Sequence, residues 1–232
     1  MLNTVIILAG GLGTRLKSVL PDTPKCLAPI NSKPFLGILI NFLKTQGINK
    51  FIFSLGYKSE VVIKYIEDEF KFIDCNYSIE KEQLGTGGAI KLALSKVSND
   101  EVLVINGDTF FNNDLQQFYK FHQQKESNYT IALTQVEHNN RFGSVVINNE
   151  NEVTGFFEKN QSPSVLINAG QYIINKVEFL KYNPEKNFSI ELDFFQNNSI
   201  KKVIYGFEYI SDFIDIGIPD DLIRAQTFFN NN

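Results

Sequence analysis

The run Leu8-Ala9-Gly10-Gly11-Leu12-Gly13-Thr14-Arg15-Leu16 puts three glycines and an arginine directly behind a short apolar stretch. Glycines let the backbone pass close to a ligand and aim N–H groups at anionic oxygens. Arg15 adds a permanently charged, planar fork suited to phosphate oxygens. Ten residues further on, Pro24-Lys25 sets a second cation on a proline-stiffened connection. Together these residues point to phosphate binding, yet neither of the commoner phosphate loops is present. A dinucleotide G-x-G-x-x-G beginning at Gly11 would need glycine where Leu16 stands, and no Gly-Lys-Ser/Thr follows to make a P-loop. Asp108, after the apolar run Val102–Asn106, and Asp215, in Ile214-Asp215-Ile216-Gly217, are carboxylates at ends of strand-like segments. Taken singly, the glycines fit a tight turn, Lys25 a surface charge and Asp108 a cap.

The elements that must position these groups alternate. Val5–Ala9, Lys50–Leu55, a short strand ending at Ile79, and Val102–Asn106 have strand character. Between them, Pro34 marks a helix start with Phe35, Ile38, Leu39, Phe42 and Leu43 at helical spacing. Glu60–Phe70, a helix opening over Ala89–Leu94, and Leu115–Lys125 follow. This β-α-β-α rhythm predicts an α/β fold, a Rossmann-like, mixed but mainly parallel sheet with helices on both faces. Ligands bind such sheets beyond the carboxyl ends of the strands. Gly10–Arg15, Gly56 and Asn106-Gly107-Asp108 all fall there. From Tyr129 the pattern turns to β segments at Thr130–Val136, Gly143–Ile147, Val153–Glu158 and Leu166–Ile174. No linker or repeat divides the chain, so one domain over 1–232 is expected, with the alternating part over about 1–128 and the β-rich part over about 129–232.

Composition narrows the partners. The chain has 232 residues and a formal charge of −4, from 22 basic and 26 acidic side chains. General nucleic-acid binding, which relies on a strongly basic surface, is not expected. Cys26 and Cys75 lack zinc or redox spacing and suit a reducing cytoplasm. No apolar stretch nears the ~18 residues of a spanning helix, so no membrane partner is expected. Apolar positions serve core and interface alike, and a homo-oligomer stays open.

Gly10-Gly11-x-Gly13-Thr14-Arg15 followed by Pro24-Lys25 resembles the signature of the sugar-phosphate nucleotidyltransferases, or NDP-sugar pyrophosphorylases. The resemblance runs in order through Gly85-Thr86-Gly87-Gly88-Ala89, Asn106-Gly107-Asp108, Glu158-Lys159, Asn168-Ala169-Gly170 and Asp215-Ile216-Gly217, nearly the whole chain. It implies an enzyme that joins an NTP to a sugar 1-phosphate with release of pyrophosphate. Arg15, Lys25 and Asp108 are then the catalytic set. Leu8, Ala9, Gly10, Gly11, Gly13, Thr14, Gln83, Gly85, Thr86, Gly87 and Asn106 are expected around the nucleotide. Gly143, Glu158, Lys159 and Asn168 are expected around the sugar phosphate, and Asp108 with Asp215 around Mg²⁺. His122 and His138 match nothing in the pattern. Tyr57 could line the pocket or simply pack.

Within the family, stretches 13–19, 33–36, 84–91, 106–111, 216–219 and 225–226 resemble the D-glycero-α-D-manno-heptose 1-phosphate guanylyltransferases most. GTP and that heptose phosphate are therefore the expected substrates, with a product serving capsule, lipopolysaccharide or S-layer glycans. The chain departs from its relatives at Cys26, where proline is common, and at Gln83, where guanylyltransferases often carry proline. Mannose-1-phosphate guanylyltransferase and N-acetylmuramate-1-phosphate uridylyltransferase are the rival readings within the family. A glycosyltransferase would usually carry Asp-x-Asp, which the sequence lacks. A non-catalytic nucleotide sensor would have no need of Arg15, Lys25, Asp108 and Asp215 together.

Overall fold

The computed structural model describes residues 2–136, 142–157, 165–184, 187–197 and 203–230. The chain opens with β1 (Thr4–Leu8), a small hairpin of β2 (Pro29–Ile30) and β3 (Lys33–Pro34), and α1 (Phe35–Thr45). Then come β4 (Lys50–Leu55), α2 (Ser59–Glu69), β5 (Asp74–Ile79), α3 (Gly85–Ala93) and β6 (Glu101–Asn106). β7 (Thr109–Phe111), α4 (Leu115–Gln124), β8 (Tyr129–Gln135), β9 (Ser144–Ile147) and β10 (Val153–Phe157) follow. The chain closes through β11 (Leu166–Asn175), α5 (Lys176–Lys181), β12 (Tyr205–Glu208), β13 (Phe213–Asp215) and α6 (Pro219–Phe228).

Nine of these strands form a mixed sheet in the order β10-β9-β11-β6-β1-β4-β5, with β8 joined to β11 and β12 to β8. The run β6-β1-β4-β5 is parallel throughout, and β11 enters antiparallel to β6. Strand β1 shows why both faces are covered. Its side chains alternate, and Val5, Ile6 and Ile7 are all fully buried. Val5 and Ile7 pack with Leu36, Leu39, Ile40, Val62 and Phe118 from α1, α2 and α4, whereas Ile6 packs with Ile90, Ala93 and Phe179 from α3 and α5. Burying a side chain of this size contributes roughly 1.5–3 kcal/mol, so β1 is held from above and below. Its register fixes Leu8 beside Ser54 of β4 and Asn106 of β6. Three strand ends thus stop level with one another, and the loops leaving them share one edge.

Several boundaries differ from the sequence reading. Helix α1 begins at Phe35, with Pro34 extended just before it (φ −58°, ψ 134°). Helix α3 begins at Gly85, so the glycines expected to form a loop make its first turn. The Phe188 carbonyl accepts the N–H groups of Gly87 (2.9 Å) and Gly88 (3.4 Å), and this long-range cap carries the helix four residues earlier than local pattern indicates. The sequence reading has a strand-like segment around Asp215 but none over Thr109–Phe111, and the ribbon that β7 and β13 form is absent from it. His122 lies on α4 as expected but is fully buried, with Nδ1 2.7 Å from the Thr130 hydroxyl. No helix among the described residues is long and apolar enough to cross a membrane.

Candidate active site

Beyond the level ends of β1, β4 and β6 lies a cavity of about 340 Å³. Leu8, Ala9, Gly10, Gly11 and Leu12 line it from β1 and its loop, and Asn106, Gly107 and Asp108 from the end of β6. Lys25, Cys26, Gln83, Gly85, Thr86 and Ala89 complete much of the wall. Most of these carry the motifs of the sequence, but Glu80, Ser54 and Asn187, which also line the cavity, do not.

The loop after β1 turns through Gly13, whose φ of +57° lies in the left-handed region that glycine enters freely. A short helical turn, Thr14–Leu16, follows and is anchored by buried Leu16, 1% exposed. Thr14 and Arg15 on the same turn are exposed and stand outside the lining of the cavity. A Cβ on Gly13 would lie 3.2 Å from the Cβ of Lys25, so the loop packs against the lysine-bearing turn Lys25–Leu27.

Lys25 Nζ forms an ion pair with Asp108 Oδ2. Asp215 joins them because β13 pairs antiparallel with β7: Asp215 lies opposite Thr109, and the Ile216 N–H donates to the Asp108 carbonyl at 3.0 Å. The ribbon therefore closes a gap of 107 positions. A Cβ at Gly217 would lie 2.6 Å from Asp215 Oδ1 and 3.2 Å from Lys25 Nζ, so the three charged groups share a small space. Burial, and next the neighbouring Asp108 charge, raise the Asp215 carboxyl above the ordinary carboxylate range. Lys25 and the Gly217 N–H oppose that rise. Helix α6 braces the assembly. Gln226 Nε2 donates to the Pro29 carbonyl (2.9 Å) and Gln226 Oε1 accepts the Asn31 N–H (2.7 Å), tying the chain after Asp215 to the hairpin after Lys25. Cys26, buried beside the pair, has its thiol pushed up to about 12 by burial, so it remains a neutral wall residue.

At the opposite end sits Glu80, immediately after β5. Its Oε1 is so close to the loops of β1 and β4 that a Cβ at Gly10 would stand 2.8 Å from it and one at Gly56 2.5 Å. Those two glycines make room for a carboxylate. Glu80 Oε2 accepts the Leu84 N–H at 3.2 Å, and burial raises its carboxyl above the usual value. Gln83 is exposed at the same wall. Gly87 is buried behind it, its N–H directed at Phe188.

Of the residues expected around a sugar phosphate, Glu158 and Lys159 lie outside the described residues, as does His138. Gly143 is exposed at the start of β9. Asn168 on β11 has its amide fixed: Oδ1 accepts the Gly170 N–H (2.9 Å) and Nδ2 donates to the Tyr172 hydroxyl (2.9 Å). Gly170, with φ +71°, lets β11 cross close to the Asn106 side chain. Tyr57 is half-buried, with the Lys58 ammonium over its ring at 5.5 Å.

A glycine loop, a lysine and two carboxylates gathered at the carboxyl edge of the parallel strands mark a phosphate-handling enzyme. The chain belongs to the nucleotidyl transferase family, whose pattern matches residues 4–232. A D-glycero-alpha-D-manno-heptose 1-phosphate guanylyltransferase of Aneurinibacillus thermoaerophilus is 44% identical over 95% of this chain and 96% of its own length. A protein of the same name from Campylobacter jejuni is 45% identical over 93% of this chain and 95% of its own. The crystal structure of HddC from Yersinia pseudotuberculosis complexed with GMP-PN superposes with a TM-score of 0.89 at 38% identity, covering 98% of this chain and all of that one. The family, fold and enzyme class expected from the motifs are thus met.

Proposed function

We propose that the enzyme transfers GMP from GTP to D-glycero-α-D-manno-heptose 1-phosphate. The support is the likeness to the two heptose-phosphate guanylyltransferases along nearly their whole length, together with one feature of the cavity. Glu80 presents a carboxylate at the end remote from the Lys25–Asp108 pair. Guanine offers two parallel donors on one edge, N1–H and the 2-amino group, which a carboxylate can accept side by side. Uracil offers one donor between two carbonyls, and adenine an amine beside an acceptor, so neither matches.

In the reaction, a phosphate oxygen of the sugar 1-phosphate attacks the α-phosphorus in line. The new O–Pα bond forms as the bond to the β-phosphate oxygen breaks, and pyrophosphate leaves with that electron pair. The nucleophile is already anionic, so no side-chain base is required, and neutral His122, buried on α4, has no part. Catalysis rests on positioning and on matching charge as it develops. The backbone from Leu8 to Thr14 receives the phosphates. Arg15 holds the leaving pyrophosphate and Lys25 the α-phosphoryl oxygens. Gln83, Gly85, Thr86 and Asn106 border the nucleoside, with Gly87 supporting Gly85 from behind. Glu158, Gly143 and Asn168 hold the sugar hydroxyls and Lys159 the attacking phosphate.

Asp108 and Asp215 suit Mg²⁺, because two hard carboxylates brought close enough to repel gain from a divalent cation between them. When bound, that ion would neutralise phosphate charge, taking its remaining ligands from substrate oxygens and water.

Comparing GTP with ITP, which lacks only the 2-amino group, tests the guanine reading. A hydrogen bond to a charged acceptor sets the expected difference at about tenfold or more in kcat/KM. Equal use of the two would remove Glu80 from base selection, and preference for UTP would remove guanine.

A further inference from the structure

Glu191 lies outside the cavity, in the helical turn Ile190–Phe195, yet three hydroxyls converge on its carboxylate. Oε2 accepts from Thr86 Oγ1 at 2.7 Å and from Ser189 Oγ at 2.7 Å; Oε1 accepts from the Tyr172 hydroxyl at 3.0 Å. Thr86 belongs to the first turn of α3 and lines the nucleotide cavity. Tyr172 is fully buried on β11, and its hydroxyl in turn accepts from Asn168 Nδ2 at 2.9 Å. A second contact locks the turn to the helix, since the Ile190 N–H donates to Thr86 Oγ1 at 2.9 Å. Each carboxylate oxygen thus accepts at least one hydrogen bond from within the protein.

We infer that Glu191 is a positioning residue for both substrates, tying the α3 turn beside the nucleotide to the β11 segment beside the sugar phosphate. The inference rests on the assignment of those two halves made above. The chain Thr86–Glu191–Tyr172–Asn168 is continuous, and each of its ends carries a residue expected at one substrate. Local packing alone would not require a carboxylate here. The turn is already capped by Ser189, whose hydroxyl accepts the N–H groups of Glu191 (3.2 Å) and Leu192 (3.1 Å), and is anchored by buried Ile190, Phe194 and Phe195. Besides the Ser189 hydroxyl, Glu191 accepts from residues 105 and 19 positions away.

The test is steady-state kinetics of Glu191→Gln and Tyr172→Phe with both substrates varied. Glu191→Gln keeps the size and one acceptor. Tyr172→Phe keeps the buried ring and removes only the hydroxyl, so it serves where the first variant fails to fold. Because neither residue touches the reacting atoms, KM for the nucleotide and for the sugar phosphate should each rise about tenfold, the scale of a lost hydrogen bond to a charged group. The kcat of each folded variant should stay within about twofold of the parent. A purely structural role would lower the active fraction, and so kcat, at unchanged KM. A folded variant in which either KM stays at the parent value overturns the inference while leaving the proposed function intact. Failure of the parent to bind GTP or the heptose phosphate overturns both.

Discussion

Three charged side chains meet at the cleft. Lys25 stands against Asp108, and Asp215 adds a second carboxylate that burial and its neighbour hold above the ordinary range. Lys25→Ala should lower kcat by ~10²–10³ in the folded fraction, the scale for removing one donor to developing charge; unchanged turnover would end its catalytic assignment. Asp215→Asn should act in opposite directions on stability and activity. The folded state binds the Asp215 proton more tightly than the unfolded chain, whose value lies near 3.8. Stability from this group is therefore full below that value and is lost as pH rises through the raised folded value. At neutral pH the charged carboxylate is a net cost, so Asp215→Asn should raise Tm there while lowering Mg²⁺-dependent turnover. A lower Tm at pH 7 would mean that the carboxylate is stabilised by its partners. Glu80→Gln should bring the ratio of GTP to ITP use towards one by lowering GTP kcat/KM about tenfold or more; a ratio kept at the parent value would place the base elsewhere. Lys25, Asp108 and Asp215, which the structure brings together, were legible as residues because each sits in a motif, whereas Arg15, expected with them, stands exposed outside the cavity lining. Glu80 was not, because Lys-Glu-Gln neighbours make it look like any solvated acid until Gly10 and Gly56 are seen to leave space for it.

At the scale of elements, the site depends on contacts made far along the chain. The α3 turn is shaped by residues 187–189: a Cβ on Gly87 would stand 2.1 Å from the Phe188 ring, and one on Gly85 2.5 Å from the Phe188 carbonyl. Gly87→Ala should therefore cost about 1–3 kcal/mol from overpacking, lowering Tm by roughly 2–4 °C per kcal/mol in a chain of this size. Placing it in a Phe188→Leu background should recover part of that loss, because contacting residues do not add. Additive losses in thermal melts would show that the ring is not the obstacle. The strands β1, β4, β5 and β6 were readable from short apolar runs bounded by glycine and polar turns. The start of α3 and the β7–β13 ribbon were not, since both arise from partners about 100 residues apart, which local periodicity does not encode.

Across the whole molecule, the sheet brings the ends of β1, β4 and β6 level and continues beyond β6 through β11. That is why the motifs at Leu8–Gly11 and Asn106–Asp108 meet at one edge, to which the β7–β13 ribbon adds Asp215, and why their order could be recognised before their geometry was known. A modest net charge of −4 fits an enzyme that draws small phosphorylated substrates rather than a polyanion. The most direct measurement is pyrophosphate release, with and without Mg²⁺, across the four NTPs. Each is paired with D-glycero-α-D-manno-heptose 1-phosphate, mannose 1-phosphate, glucose 1-phosphate and N-acetylmuramate 1-phosphate. Release that requires Mg²⁺ and is strongest with GTP and the heptose phosphate is expected. Stronger release with another pair would contradict the substrate assignment, and no release with any pair would contradict catalysis at this cleft.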